Sequence, residues 1–154
     1  MKILIIYDSL HGNTRTIASA MGDALSKTNE VKVLTVTQAN NVNLQDFEFI
    51  FFGSPTNGGQ PAAPAKNFLE NIREETLKGK KTAAFATGTT PDGEGFIGKT
   101  AIKIFGYAAK RTGEILKSKG ATVMSTENFL VKGYVGPIVA GEIERAQKWA
   151  MSLV

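Results

Sequence analysis

The first 25 residues contain an apolar run, a short polar loop and an amphipathic segment in direct succession. Lys2–Asp8 is a nearly continuous aliphatic run, which is typical of a strand that is covered on both faces. The apolar residues of the third segment recur at helical spacing and are Ile17, Ala18, Met21, Ala24 and Leu25. The sequence therefore predicts a buried strand that enters a helix through the single turn Ser9–Thr14.

That turn has the chemistry of an anion site. Backbone N–H groups and the positive end of the helix dipole converge at the start of a helix, and Ser9, Asn13 and Thr14 add neutral donors there. Gly12 supplies the backbone freedom that a wrapped phosphate requires. The alternative is that Asn13 or Thr14 only caps the helix, as these residue types commonly do.

The remaining sequence repeats the order strand, loop, helix. The predicted strands are Lys2–Asp8, Val31–Val36, Phe47–Gly53, Lys81–Thr87 and Ala121–Leu130. The predicted helices are Asn13–Lys27, Pro64–Leu77, Gly98–Lys119 and Pro137–Leu153. Gly79 and Gly120 stand where helices should end, and Pro137 stands at an expected first helical position.

This alternation predicts an α/β fold with parallel strands, right-handed crossovers and helices on both faces of the sheet. Five strands and four helices make a three-layer α/β/α sandwich, and 154 residues make one domain, 1–154. Ligands of such sheets bind beyond the carboxyl ends of the strands, where the strand order reverses. The loops at that edge are Ser9–Thr14, Ser54–Pro61 and Gly88–Gly98.

Composition excludes several kinds of site. The chain has no cysteine and one histidine, His11, so thiolate chemistry and a multi-histidine metal site within one chain are excluded. The formal net charge of +4 is spread along the chain without a dense basic block, so nucleic acid is not an expected partner. No apolar run approaches the roughly 20 residues that span a bilayer, and no cleavable leader is evident. We expect a soluble cytoplasmic protein with no membrane insertion.

Three segments resemble the flavin-binding loops of the flavodoxin family. Tyr7–Thr14 resembles the loop that binds the phosphate of flavin mononucleotide (FMN), and Phe52–Pro61 is similar to the first flavin-ring loop. Thr87-Gly88 with Asp92-Gly93 resembles the second ring loop. The resemblance covers essentially the whole chain and implies a short-chain flavodoxin-like fold with strand order 2-1-3-4-5.

The resemblance also implies which residues bind FMN. The phosphate would be held by the backbone of Ser9–Thr14, which includes Leu10, His11 and Gly12, and by the side chains of Ser9, Asn13 and Thr14. The edge of the ring would be contacted by Pro55, Thr56, Asn57, Gly58 and Gly59, and its other side by Thr87, Gly88, Thr89 and Phe96. In the family, a glycine-containing peptide beside the flavin N5 turns over on reduction, and Asn57-Gly58 is the corresponding dipeptide here.

The chain departs from the family pattern in three ways. His11 replaces a hydroxyl residue of the phosphate loop, and its imidazole is either a further contact to the phosphate or an ordinary solvent-facing side chain. Flavodoxins commonly stack aromatic residues on the ring, yet Ser54–Pro61 has none and Gly88–Gly98 has only Phe96. Typical members are strongly acidic, whereas this chain has a net charge of +4.

Two other nucleotide-binding signatures overlap in one segment. Gly93–Thr100 fits the nucleoside-triphosphate P-loop pattern, with Lys99 and Thr100 at the phosphate and magnesium positions. The same residues contain a G-x-G-x-x-G dinucleotide fingerprint. Both motifs should follow a strand directly, but Gly88–Asp92 intervenes, so the context favours neither.

These observations lead to three hypotheses about function. The favoured one is an electron carrier with one noncovalent FMN that moves electrons from a reductase to an acceptor enzyme and has no catalytic residue of its own. The second is an enzyme, an FMN-dependent NAD(P)H:quinone-type reductase that uses an uncovered ring face. The third is a binding module of flavodoxin fold with weak flavin binding or none. The second and third hypotheses stay open because the loops have few aromatic residues to cover the flavin ring.

Overall fold

A computed structural model describes residues 1–89, 107–133 and 135–154 of the chain. The strands are β1 (Lys2–Tyr7), β2 (Glu30–Thr35), β3 (Phe49–Asn57), β4 (Gln60–Pro61), β5 (Lys81–Thr89) and β6 (Thr122–Val131). The described helices are α1 (Asn13–Leu25), α2 (Val36–Ala39), α3 (Ala63–Asn71), α4 (Ala108–Ser118) and α5 (Glu142–Met151), with a short 3₁₀ turn at Leu44–Asp46.

The sheet has the parallel order β2-β1-β3-β5-β6, and the two-residue strand β4 pairs antiparallel with β3 outside that path. The predicted order 2-1-3-4-5 is confirmed, because it counts the same five strands without β4. The chain runs from β1 outward to β2 and then returns to the other side of β1 as β3. The strand order therefore switches between β1 and β3, which makes this the expected ligand-binding edge.

Both faces of the sheet are buried, as the aliphatic run of β1 predicts. Leu4 and Ile6 pack into one core cluster with residues of α3 and α4. Ile3 and Ile5 point to the opposite face and pack with residues of α1 and α5. Since side chains alternate along a strand, only a run of consecutive apolar residues can fill both cores at once.

The element boundaries were predicted with unequal success. Gly120 ends α4 as expected: its N–H and that of Ala121 donate to the carbonyls of Lys117 and Leu116, at 3.0 and 3.1 Å, which is the Schellman pattern. The predicted helix Pro64–Leu77 is wrong in its second half, because α3 ends at Asn71 and turns lead to Gly79. The predicted helix residues 98–106 lie outside the described part.

Pro137 does not begin the last helix. The N–H of Lys132 donates to the Pro137 carbonyl at 2.8 Å, and the N–H of Val139 donates to the Leu130 carbonyl at 2.9 Å. These bonds place Pro137 and Val139 alongside the end of β6, and Gly136 has a left-handed φ of 119° that no helix contains. The helix begins only at Glu142, so the prediction of Pro137 at its first position is wrong.

Glu142 fastens the start of α5 to the edge strand β6. The residue is buried, with 8% exposed, and one carboxylate oxygen accepts the Leu130 N–H at 2.7 Å. The other oxygen accepts from Arg145 Nε at 2.8 Å. The hydrogen bond from Arg145 is the main reason that the pKa of Glu142 lies below its usual value, and the Leu130 N–H contributes in the same direction.

We expect Glu142→Gln to lower the free energy of unfolding by about 1–2 kcal/mol at pH 7, because charge-assisted hydrogen bonds become neutral ones. A lowered carboxyl pKa stabilises the fold above the unfolded-state value of roughly 4.3 and loses its effect as pH falls through the folded-state value. Urea denaturation at pH 7 and pH 3 tests this, with the exposed neighbour Glu144→Gln as control. An equal loss at both pH values would contradict the charge-based explanation.

Candidate functional site

Three chain segments converge at the carboxyl edge of the sheet. The register pairs Tyr7 of β1 with Gly53 of β3, and Pro55 of β3 with Thr87 of β5. The loops that follow these strands therefore leave the sheet side by side. The first of them is the predicted loop Ser9–Thr14. The predictions of loops that begin at Ser54 and at Gly88 are wrong, because residues 54–57 continue β3 and residues 88–89 continue β5 by pairing with neighbouring strands. The second loop is only the Gly58-Gly59 turn between β3 and β4, and the third follows Thr89.

The Ser9 hydroxyl is the centre of the first loop. Its oxygen accepts the N–H of Gly12 at 3.1 Å and the N–H of Arg15 at 3.3 Å. Gly12 has a φ of 92° and forms the N-cap of α1 without any side-chain cap. The interpretation of Asn13 or Thr14 as a simple helix cap is therefore wrong. The N–H groups at the start of α1 converge on one small neutral oxygen, which is a geometry that suits an anion.

Asn13 and Thr14 connect this loop to two other segments. Thr14 is buried and its hydroxyl lies 2.8 Å from the hydroxyl of Thr87 at the end of β5. The Asn13 amide donates to the Val135 carbonyl at 3.0 Å. Leu10 and His11 stand at the exposed tip of the loop. All four predicted residues are thus at the same edge, but Val135 was not predicted from the sequence because it is 122 residues from Asn13.

The second loop is a tight hairpin between β3 and β4. Asn57 pairs with Gln60, and the two residues between them, Gly58 and Gly59, have positive φ values of 56° and 78°. Two positive φ values are the signature of a type I′ turn. Apart from Gly58 itself and its two chain neighbours, no heavy atom of the described residues lies within 4 Å of the position that a Cβ of Gly58 would occupy. The tip therefore has both the backbone conformation and the free space that a close ligand requires.

The start of α4 supports the second and third loops. The Thr56 hydroxyl accepts the N–H of Ala108 at 3.2 Å, and the Tyr107 hydroxyl donates to the Thr89 carbonyl at 3.1 Å. A Cβ at Gly88 would stand 2.6 Å from the Tyr107 ring. Tyr107 was missed by the sequence analysis, which placed it inside a predicted helix. The sequence feature that could have indicated this contact is Gly88, whose missing Cβ leaves space for the Tyr107 ring.

Among the residues that the structure describes, Asp8 is the acid that precedes the first loop directly. It is half-buried directly after β1, and burial raises the pKa of its carboxyl, while a hydrogen bond from the Ser9 backbone acts in the opposite direction. At neutral pH the ionised Asp8 carboxylate therefore destabilises the folded state, because folding removes part of its hydration.

We expect Asp8→Asn to raise the free energy of unfolding at pH 7 by under about 1 kcal/mol, because the amide avoids the desolvation of a charge. A raised carboxyl pKa penalises the folded state at high pH. The penalty shrinks as pH falls through the folded-state value and is lost below the unfolded-state value of roughly 3.9. The advantage of the variant should therefore shrink on acidification. Chemical denaturation from pH 7 to pH 3.5 measures it, and an advantage that does not change with pH would refute this explanation.

The described residues narrow the chemistry of the site. No group of three or more histidine, aspartate or glutamate side chains in residues 1–89, 107–133 and 135–154 could hold a metal ion. In the same residues, no helix is both long and apolar enough to cross a bilayer. Phe96 and the P-loop-like segment Gly93–Thr100 lie outside the described part. The edge offers neutral hydroxyl and amide donors, which suit the binding of an anion.

Comparison with known proteins agrees with this arrangement. The family model described as Flavodoxin matches residues 5–150. A protein named Flavodoxin from Clostridium saccharobutylicum is 32% identical over 92 residues, which is 58% of each chain. The flavodoxin-like domain-containing protein BilS from Clostridioides difficile is 28% identical over 118 residues, 77% of this chain and 64% of the relative. The matched region thus spans less than two thirds of either relative.

Solved structures share the fold along nearly the whole chain. Oxidised Flavodoxin 1 from Bacillus cereus has a TM-score of 0.76 at 19% identity, covering 99% of this chain and 97% of that one. A Fusobacterium nucleatum flavodoxin bound to flavin mononucleotide has a TM-score of 0.68 at 21% identity, covering 98% and 95%. At these identities the similarity demonstrates the fold.

Proposed function

Since this chain belongs to the flavodoxin family, we propose that it carries one noncovalently bound FMN and transfers electrons between partner proteins, as a single domain spanning residues 1–154. The observation that carries the proposal is the Ser9 hydroxyl, on which the Gly12 and Arg15 N–H groups converge at the start of α1. A phosphate oxygen accepts the same N–H groups better than a hydroxyl does, because it is charged.

The phosphate would be held by neutral donors. The N–H groups of the loop and the hydroxyls of Ser9 and Thr14 suit a phosphate oxygen, and the helix dipole of α1 favours its charge. Leu10 and His11 would contribute backbone N–H groups from the tip. The Asn13 side chain, whose amide donates to the Val135 carbonyl, would also contact the phosphate. In the part of the chain that the structure describes, no atom beyond the two neighbouring residues lies within 4 Å of the position of a Gly12 Cβ, which leaves room for the anion beside the loop.

The flavin ring would lie between the second and third loops. Pro55 and Thr56 and the hairpin tip Asn57–Gly59 would contact its edge, with Thr87–Thr89 on the other side. FMN would supply one- and two-electron redox chemistry at this position. The chain's own residues would hold the ring, exclude water from it and offer the Asn57–Gly58 peptide as a hydrogen-bonding group. Gly58 permits that peptide to change conformation at little steric cost.

Electron transfer between proteins needs no acid, base or nucleophile from the chain, because the flavin supplies the redox chemistry. The proposed donor is a reductase and the proposed acceptor is an enzyme, and both are recognised at the carboxyl edge of the sheet. A cytoplasmic location stays a prediction.

Titration of the purified chain with FMN tests the proposal. We expect flavin fluorescence to be quenched with one-to-one stoichiometry and the bound flavin to show its two visible absorption bands. The reduced complex should pass electrons to an added one-electron acceptor protein, and NAD(P)H alone should not reduce it. Failure to bind FMN would contradict the proposal, and steady NAD(P)H oxidation with a small quinone would identify a reductase instead.

A further inference from the structure

Exposed basic side chains surround the proposed FMN site. Arg15 lies in the first turn of α1, Lys110 lies in the first turn of α4, and Lys132 directly follows β6. All three are exposed, and in the described part of the chain none is paired with a carboxylate. We call Arg15, Lys110 and Lys132 the basic rim. It lies at the carboxyl edge of the sheet, where the three predicted loops begin.

The acids at this edge do not balance the basic rim. Glu142 is buried against the Leu130 N–H and Arg145, and Asp8 is half-buried. Glu144 is the exposed acid in the first turn of α5. The parallel fold also directs the positive N-terminal ends of α1 and α4 toward the same edge. The described surface around the site therefore carries an excess of positive charge.

Two exposed apolar side chains lie within this charged surface. Leu10 is 71% exposed at the tip of the first loop, and Val135 is 62% exposed. The hydrogen bond of 3.0 Å from Asn13 to the Val135 carbonyl joins the segments that carry them. An apolar centre with a charged surround is the usual composition of a protein-docking surface.

We propose that the redox partner docks on this edge through an acidic face. The inference rests on the proposed function, because it assigns the partner class for the same FMN site. The positive rim accelerates the encounter with an acidic protein and slows that with a basic one, by an amount that salt screens. Bound FMN adds the negative charge of its phosphate inside the first loop, so the test uses the FMN-loaded protein.

The test compares two one-electron acceptors of opposite charge. The FMN-loaded chain is reduced chemically without oxygen and mixed with a rubredoxin of net negative charge or a c-type cytochrome of net positive charge. In each reaction the flavin is oxidised and one electron reduces Fe(III) to Fe(II). We expect the rate constant for rubredoxin to fall about tenfold as ionic strength rises from about 0.02 to 0.5 M, and the rate constant for the cytochrome to rise.

Two charge-reversal variants separate the local charge from the net charge. Lys110→Glu/Lys132→Glu reverses two charges of the basic rim, and Lys81→Glu/Lys117→Glu makes the same net change at the opposite edge of the sheet. We expect the first variant to lose the salt dependence with rubredoxin and the second to keep it. Equal effects, or a wild-type chain that reacts faster with the cytochrome at low salt, would overturn the inference.

Flavin titration of each variant keeps the two proposals distinguishable. A wild-type chain that fails to bind FMN would refute the proposed function and this inference together. A chain that binds FMN tightly but shows the opposite salt dependence would refute only the acidic-partner inference. Neutral Lys110→Gln/Lys132→Gln, which should give an intermediate salt dependence, replaces the reversed variant if that variant fails to fold.

Discussion

Leu10→Asp should weaken FMN binding by about 30-fold and leave riboflavin binding unchanged. The residue is 71% exposed at the tip of the first loop, so an aspartate there costs little folding energy. Its carboxylate would lie close to the proposed phosphate. With an effective dielectric constant of about 20, we expect the repulsion between the two charges to cost about 2 kcal/mol of binding free energy, which corresponds to about 30-fold in affinity. Riboflavin lacks the phosphate and would not be repelled. Fluorescence titration with both flavins measures the difference.

Leu10→Asn is the matched control for this prediction. It makes the tip equally polar without adding charge, so FMN affinity should change less than about threefold. The effect of the aspartate should also shrink at high ionic strength, because screening weakens repulsion between exposed charges. If both variants weaken FMN equally, or if Leu10→Asp weakens riboflavin as much as FMN, the phosphate does not lie at this loop.

Gly53→Ala should lower the free energy of unfolding by about 3 kcal/mol or prevent folding. Gly53 lies in β3 between β1 and β5, and a Cβ there would overlap the ring of Phe85, which is fully buried beside Phe129. Neither strand can move away, because each is hydrogen-bonded to β3 in the centre of the sheet. Denaturation with urea measures the loss.

A second substitution identifies the cause of that loss. Phe85→Leu removes the ring that the new methyl group would strike, so the double variant should be more stable than the sum of the two single effects by at least about 1 kcal/mol. Strict additivity would mean that backbone strain, and not the Phe85 contact, makes alanine unacceptable at position 53. The contact matters for the site because β3 continues from Gly53 into the hairpin whose tip is Gly58-Gly59.

The parts of the fold that local sequence determines were predicted well. The aliphatic run of β1 fills two cores because side chains alternate along a strand. Gly120 ends α4, where its own N–H donates to the carbonyl three residues back and the N–H of Ala121 donates to the carbonyl five residues back. Pro137 was misplaced because residues 137–139 pair with the end of β6 and do not enter a helix. The fixed φ of proline suits both the first position of a helix and a turn, so the local sequence allows either structure. Here the pairing with β6 decides in favour of the turn.

The candidate site divides in the same way. The turn Ser9–Thr14 was predicted because its residue types act locally, and its Gly12 has the left-handed φ that a tight turn requires. The segment Ser54–Pro61 was predicted as a loop, whereas it is a β3–β4 hairpin that turns at Gly58-Gly59. The links between loops were not predicted. Thr14 reaches Thr87 across 73 residues, and Tyr107 packs on Gly88 from the start of another helix. Such contacts depend on the sheet order, which the periodicity of a single sequence does not determine.

The most direct test of the account is a crystal structure of the chain grown with FMN. We predict that the phosphate oxygens lie about 2.7–3.2 Å from the N–H nitrogens of Gly12 and Arg15. The phosphate would then accept the two hydrogen bonds that the Ser9 hydroxyl oxygen accepts in the present structure. A phosphate bound instead at Lys99, or a first loop whose N–H groups still donate to Ser9 with the nucleotide elsewhere, would contradict the account.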